Sequence, residues 1–209
     1  MKLFDLVRID HFRAFADYYA IPAEEETAVK GEWEWGPGME FFNALREKLG
    51  NVNIVAEDLG MLTPAVTELL RDTGFPGMKV LQFAFDGGDD NPYQPHNYIK
   101  NCVVYLGTHD NDTLSGWLDS ANPDTVARAK KYLRISDGED TAREIISAAM
   151  ASVGDTVIIT VQDLLGLGAE ARMNTPSTKQ NNWTFRAEKG YLERIDSEFL
   201  KQTTSLSFR

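Results

Sequence analysis

Five short apolar runs in this sequence are each followed, at once or one residue later, by acidic or polar groups: Asp10, Glu57-Asp58, Asp86, His109-Asp110 and Gln162-Asp163. Carboxyl groups gathered in one cleft separate in proton affinity, so that some hold a proton near neutral pH while others stay ionised. Cleavage of a glycosidic bond with retention needs that separation: one carboxylate as nucleophile and a second carboxyl, about 5–5.5 Å away, to protonate the leaving oxygen. Asp10 and Glu57 follow consecutive runs, and Arg8, two residues before Asp10, faces the same way if its run is a strand. A guanidinium beside a carboxylate favours the ionised form a nucleophile requires. Each feature alone has a plainer reading. An acid after one strand commonly caps a helix or closes a turn; Arg8 with Asp10 is then a structural ion pair, and His109-Asp110 a satisfied turn. Five such ends in register are harder to explain that way.

The runs that must position these groups are Leu3–Ile9, Val52–Ala56, Lys79–Phe85, Val103–Gly107 and Thr156–Val161. Near-continuous apolar runs rich in Val, Ile and Phe suit parallel strands buried on both faces. Helical patterns fill the gaps. Met39–Leu49 places Phe41, Phe42, Leu45 and Leu49 at helical spacing before Gly50. Thr63-Pro64 and Asn122-Pro123 are N-cap and N1 signals for helices that carry Val66, Leu69 and Leu70, and Val126–Leu133. Thr141–Val153 and Tyr191–Leu206 read as further helices. Alternation of strand and helix predicts an α/β fold with a parallel sheet. In a parallel barrel the C-terminal strand ends converge on one rim and bring distant acids together.

Bulk properties exclude other classes. With 21 Lys and Arg against 32 Asp and Glu the net charge is −11, the wrong sign for a surface that tracks a phosphate backbone. No apolar run approaches the roughly 20 residues that span a bilayer, and no secretory signal is visible at the start, so neither nucleic acid nor membrane is an expected partner. The single cysteine, Cys102, lies in the apolar run Cys102-Val103-Val104-Tyr105; it reads as a buried hydrophobe, which fits a reducing cytoplasm. His11, His96 and His109 lack helical metal-ligand spacing, so no metal or other cofactor is expected. Asp110-Asn111-Asp112-Thr113, taken by itself, would also suit a phosphatase-type aspartate pair.

Val7-Arg8-Ile9-Asp10-His11-Phe12-Arg13, Val55-Ala56-Glu57-Asp58-Leu59-Gly60 and Gly107-Thr108-His109-Asp110-Asn111-Asp112-Thr113, in this order, resemble the motifs of the amylomaltases, or 4-α-glucanotransferases. Trp35-Gly36-Pro37-Gly38, Pro76-Gly77-Met78-Lys79-Val80-Leu81-Gln82-Phe83, Asp163-Leu164-Leu165-Gly166 and Arg172-Met173-Asn174-Thr175-Pro176 extend the likeness over most of the chain. The resemblance implies a retaining transfer of α-1,4-glucan segments between maltooligosaccharides. Asp10 is then the nucleophile, Glu57 the general acid/base and Asp110 the third carboxylate, which grips the distorted sugar. It also implies that Arg8 and His109 hydrogen-bond the nucleophile region and the sugar hydroxyls, and that Asn174, Trp183 and Arg186 lie near the glucan-binding end.

Leu106, Ser177 and Phe185 depart from the family pattern, which usually has threonine, glycine and tryptophan there. Ser177 matters most, because glycine adopts positive φ freely and serine does not. The resemblance starts just before the nucleophile strand. Residues 1–209 are therefore expected to be the later part of a (β/α)8 TIM barrel, about the last five βα units, without the first three strands or the inserted subdomains. Five strands do not close an eight-stranded barrel, so the fragment alone is expected to be inactive; the alternative is a truncated paralogue that binds glucan without turning it over.

Overall fold

The computed structural model describes residues 3–88 and 90–209. The chain forms two compact units, one ending at Met78 and the other running from Lys79 to Arg209.

In the first unit β1 (Val7–Ile9) leads through a 3-10 turn (Phe12–Phe15) to a hairpin of β2 (Asp17–Ala20) and β3 (Glu32–Trp35), followed by α1 (Gly38–Leu49), β4 (Ile54–Ala56) and α2 (Pro64–Thr73). β1 and β4 pair in parallel, with Val7 opposite Ile54, Arg8 opposite Val55 and Ile9 opposite Ala56. The predicted caps are in place. The Thr63 hydroxyl accepts the Val66 N–H with Pro64 at N1, and Gly74 ends α2 at φ 68°, in the left-handed region where glycine is favoured. The core is Phe12, Phe42, Ile54, Ala56, Val66, Leu69 and Phe75, with Phe42 stacked on Phe12 and edge-on to Phe75. Of the apolar face expected on α1, Phe42 is buried, whereas Phe41 and Leu49 are exposed. Phe41 is about 100° round the helix from Phe42, and Leu49 sits in the last turn.

The antiparallel β2–β3 hairpin was not among the expected strands. Its sequence Glu32-Trp33-Glu34-Trp35 alternates but lacks the continuous apolar character of the expected strands, and all four residues are exposed, the tryptophan side included.

β5 (Gly77–Val80) spans the boundary and heads the order β5-β6-β7. The expected strand Lys79–Phe85 is corrected: after Val80 the chain turns into a 3-10 segment, Leu81–Phe83. Leu81, Ala84 and Phe85 are buried all the same, and that burial is why the run looked strand-like. Further along the second unit come β6 (Cys102–Tyr105), α3 (Leu114–Ser120), α4 (Pro123–Leu133), α5 (Thr141–Met150), β7 (Thr156–Ile158), α6 (Val161–Leu164) and α7 (Ser197–Leu206). β6 and β7 pair in parallel, Val104 opposite Val157. The strand expected to reach Val161 stops at Ile158, because the Thr160 hydroxyl caps α6. The terminal helix expected from Tyr191 begins only at Ser197, behind a separate 3-10 turn at Leu192–Arg194. Cys102 is buried in the core with Val104, Leu106, Leu114, Ile145 and Ile146.

Candidate active site

The expected site residues fall into two groups, one in each unit. In the first, the register of β1 and β4 decides the geometry. Ile9 and Ala56 are partners, so Asp10 and Glu57 are the next residues at the same end of two adjacent parallel strands. The ladder continues past them: Glu57 N–H donates to Ile9 O at 2.9 Å and Phe12 N–H to Glu57 O at 3.0 Å. Arg8 Nη1 donates to Asp10 Oδ1 at 2.8 Å, as period-2 alternation required.

Glu57 is held by backbone alone. Its Oε2 accepts the His11 N–H and its Oε1 the Leu59 N–H, both at 2.8 Å. His11 achieves this with φ 47°, in the left-handed region that non-glycine residues seldom occupy. Asp10, by contrast, is open, with its side chain 78% exposed. One carboxyl group is thus fixed in orientation, and its neighbour is paired with a guanidinium and presented to solvent.

Behind this pair, Asp58 departs from the expected acidic rim. It is buried and accepts the Met78 N–H at 2.6 Å, packed so closely on Gly77 that a Cβ there would come within 2.6 Å of Oδ2. Met78 in turn offers its sulfur to Arg8 Nε at 3.4 Å. Asp86 also leaves the rim. It follows no strand, and its carboxylate accepts the Thr125 hydroxyl.

In the second unit His109, Asp110, Asn174 and Trp183 come together. Asn174 Nδ2 donates to Asp110 Oδ1 at 2.6 Å and Asn174 N–H to His109 O at 3.1 Å. The His109 and Trp183 rings are 5.3 Å apart and tilted by 35°, while His109 Nε2 lies 3.5 Å from Asp110 Oδ2. Arg186 stays with its own loop, where Nη1 donates to Trp183 O and Phe185 O. Ser177, the residue standing for glycine, adopts φ 65° after Pro176, and Thr178 N–H closes the turn on Thr175 O at 3.2 Å.

A cavity of about 290 Å³ opens beside this group, lined among others by Thr108, His109, Asp112, Gln162, Asp163 and Arg172. Asp163 is not a rim acid either. It is buried and accepts the Leu114 N–H at 2.7 Å. Burial pushes its carboxyl above the ordinary range and the nearby Asp112 adds to this, while the Leu114 N–H and the Thr160 hydroxyl oppose it. Among the described residues no cluster of three or more His, Cys, Asp or Glu is arranged to hold a metal ion.

Sequence reasoning gave Met78 and Arg172 no role of their own, although both lie in the family-like motifs, and misplaced Asp58, Asp86 and Asp163. Arg172 carries no periodic signal. The signal for Asp58 was Gly77, whose missing side chain makes room for the carboxylate.

The family model described as 4-alpha-glucanotransferase matches residues 1–192. The chain belongs to the 4-alpha-glucanotransferase family. It is 50% identical over 184 residues to the chloroplastic/amyloplastic 4-alpha-glucanotransferase of Arabidopsis thaliana, a match covering 88% of this chain and 32% of that protein. With the 4-alpha-glucanotransferase of Clostridium butyricum it shares 48% over 189 residues, 90% of this chain and 39% of that one. Among solved structures, an amylomaltase from Streptococcus agalactiae in complex with acarbose matches with a TM-score of 0.93 at 39% identity, over 100% of this chain and 42% of the other. The chain therefore spans about a third to two-fifths of the length of these family members, and its fold is that of the matching part of an amylomaltase.

Proposed function

We propose that this chain carries the acid-bearing part of a retaining 4-α-glucanotransferase, with Asp10 as nucleophile, Glu57 as general acid/base and Asp110 as the carboxylate that binds the distorted sugar. The register of β1 and β4 carries the reading. It sets Asp10 and Glu57 side by side on neighbouring strands, which run about 4.7–4.9 Å apart, close to the retaining separation of about 5–5.5 Å. In the first step an Asp10 oxygen attacks the anomeric carbon, the glycosidic C–O bond breaks, and Glu57 gives its proton to the departing glucan oxygen. In the second, Glu57 takes the proton of an acceptor glucan 4-hydroxyl, whose oxygen displaces Asp10 and forms the new α-1,4 bond. Arg8 orients Asp10. His109, Asn174 and Trp183 supply hydrogen bonds and a stacking face for glucan, and Arg186 braces the loop that presents Trp183. The substrates are α-1,4-glucans and maltooligosaccharides.

Residues 1–209 correspond in this reading to the later strands of a (β/α)8 barrel. Among the described residues no helix is long and apolar enough to cross a membrane. The lone buried Cys102 supports a reducing, cytoplasmic setting, although the plant relatives are named chloroplastic/amyloplastic.

The openness of Asp10 favours a second reading, a glucan binder without turnover, because charge interactions weaken in contact with water. Incubation with maltotriose, followed by chromatography for glucose and longer maltooligosaccharides, shows whether this chain by itself turns glucan over, with Asp10→Asn as the blank. We expect little product from the 209-residue chain alone. Turnover abolished by Asp10→Asn establishes the transferase in this chain. Product formation that survives Asp10→Asn refutes the nucleophile assignment.

A further inference from the structure

We infer that Arg172 is the positioning residue that fixes the Asp110–Asn174 pair, an inference that rests on the glucan-binding reading of that site. One guanidinium donates to two backbone carbonyls on two segments of chain and lies beside a carboxylate. Nη2 donates to Asp110 O at 2.7 Å, Nε donates to Asn174 O at 2.9 Å, and Nη1 lies 3.8 Å from Asp112 Oδ2. The two carbonyls belong to the residues whose side chains meet at 2.6 Å, Asn174 Nδ2 on Asp110 Oδ1. Arg172 therefore sets the backbone spacing that this side-chain bond requires.

The loop after β6 and the segment after β7 are otherwise stitched here by Asn174 N–H on His109 O. Neither segment is regular structure at this point, so no helix or sheet ladder holds it in place. A planar fork with donors at fixed angles suits the task. A lysine ammonium is a single compact charge and does not reproduce two divergent N–H bonds together with a carboxylate contact. Arg172 and Asp112 side chains are 26% and 15% exposed, so water screens the contacts only in part. Because a misplacement of about 1 Å in a group that positions substrate costs on the order of 10²-fold in rate, the clamp governs how well Asp110 and Asn174 meet a sugar.

The test uses the 209-residue chain, with Arg172→Lys, Arg172→Ala and Asp112→Asn. The readout is the Asn174 side-chain amide in a ¹⁵N NMR spectrum, assigned by its loss in Asn174→Asp. We expect this amide to move toward the position of a free amide in Arg172→Lys and Arg172→Ala, and part of the way in Asp112→Asn, which leaves Arg172 in place. Added guanidinium ion should restore it in Arg172→Ala where equal sodium does not, a response that a purely stabilising arginine would not give. Maltotriose affinity, read from the Trp183 indole N–H, should fall about tenfold in Arg172→Lys. An Asn174 amide unmoved in folded Arg172→Lys overturns the inference; should that variant unfold, an amide unmoved in Asp112→Asn does so instead. If the wild-type chain shows no response to maltotriose, the glucan reading fails, and the amide still decides whether Arg172 positions the pair.

Discussion

Gly77→Ala should destabilise the first unit through one contact. A Cβ at position 77 would lie 2.6 Å from Asp58 Oδ2, 2.8 Å from Cγ and 2.9 Å from Oδ1, closer than non-bonded atoms tolerate. Asp58 is buried, and its Oδ1 accepts the Met78 N–H. Two responses are open. If the carboxylate stays, the overpacked contact costs about 1–3 kcal/mol. If it rotates away, the buried hydrogen bond is lost and the Met78 N–H is left unsatisfied, at about 1–3 kcal/mol. Either way the loss is roughly 2 kcal/mol, or about 4–8 °C in melting temperature for a chain of this size. Scanning calorimetry of wild type, Gly77→Ala, Asp58→Ala and the double variant reads the cost as a cycle. Asp58→Ala removes the obstacle, so Gly77→Ala should cost far less in that background. A melting point within about 1 °C of wild type, or strictly additive effects, would refute the steric argument. The movement should also reach Glu57, the residue before Asp58, so Gly77→Ala is expected to lower any transferase activity beyond its effect on stability.

Further outcomes follow from single residues. Ser177→Gly removes a side chain from φ 65°; relief of about 1–2 kcal/mol, offset in part by glycine's greater freedom when unfolded, should raise the melting temperature by a few degrees, and a fall in calorimetry would contradict it. Asp163 has a folded pKa raised above its ordinary 3.8 by burial. Its contribution is therefore full below 3.8 and lost as pH rises through the folded value, so wild type should lose stability relative to Asp163→Asn over that interval in urea titrations; a relative gain would reverse the sign argument. For Asp196 the direction is opposite. The Phe199 N–H and Arg143 hold its carboxyl below 3.8, so the stability it adds is present above 3.8 and disappears as pH falls through the folded value. The melting points of wild type and Asp196→Ala should converge in acid, and a gap that persists there would count against the pairing.

Much of this fold can be read from residues whose local chemistry has one solution. Thr63-Pro64 and Asn122-Pro123 start helices because a capping oxygen and a preset φ suit only that position, and both caps form as expected. Apolar runs were a weaker guide. Burial makes Leu81–Phe85 apolar whatever the backbone does, so the turn after Val80 was invisible. The β2–β3 hairpin escaped for the converse reason, since its exposed, charged and aromatic residues buy no core. At the candidate site, the Asp10–Arg8 pair was legible because its partners lie two residues apart, and the place of Glu57 because it follows the strand paired with β1. The roles of Asp58, Asp163 and Arg172 were not, because each depends on a contact with a residue 20 to 62 positions away, and no spacing rule encodes such a contact.

The backbone grip on Glu57 has a consequence for how this loop tolerates change over evolution or in design. Both donors are peptide N–H groups, of His11 and Leu59, so the side chains at these positions can be exchanged without removing either bond, provided residue 11 still accepts a left-handed turn. Register is the fragile quantity. Inserting or deleting one residue between Asp10 and Phe12 would withdraw one donor and shift the Phe12 N–H that binds Glu57 O. Variation around this carboxyl group should therefore accumulate as substitutions and almost never as changes in loop length.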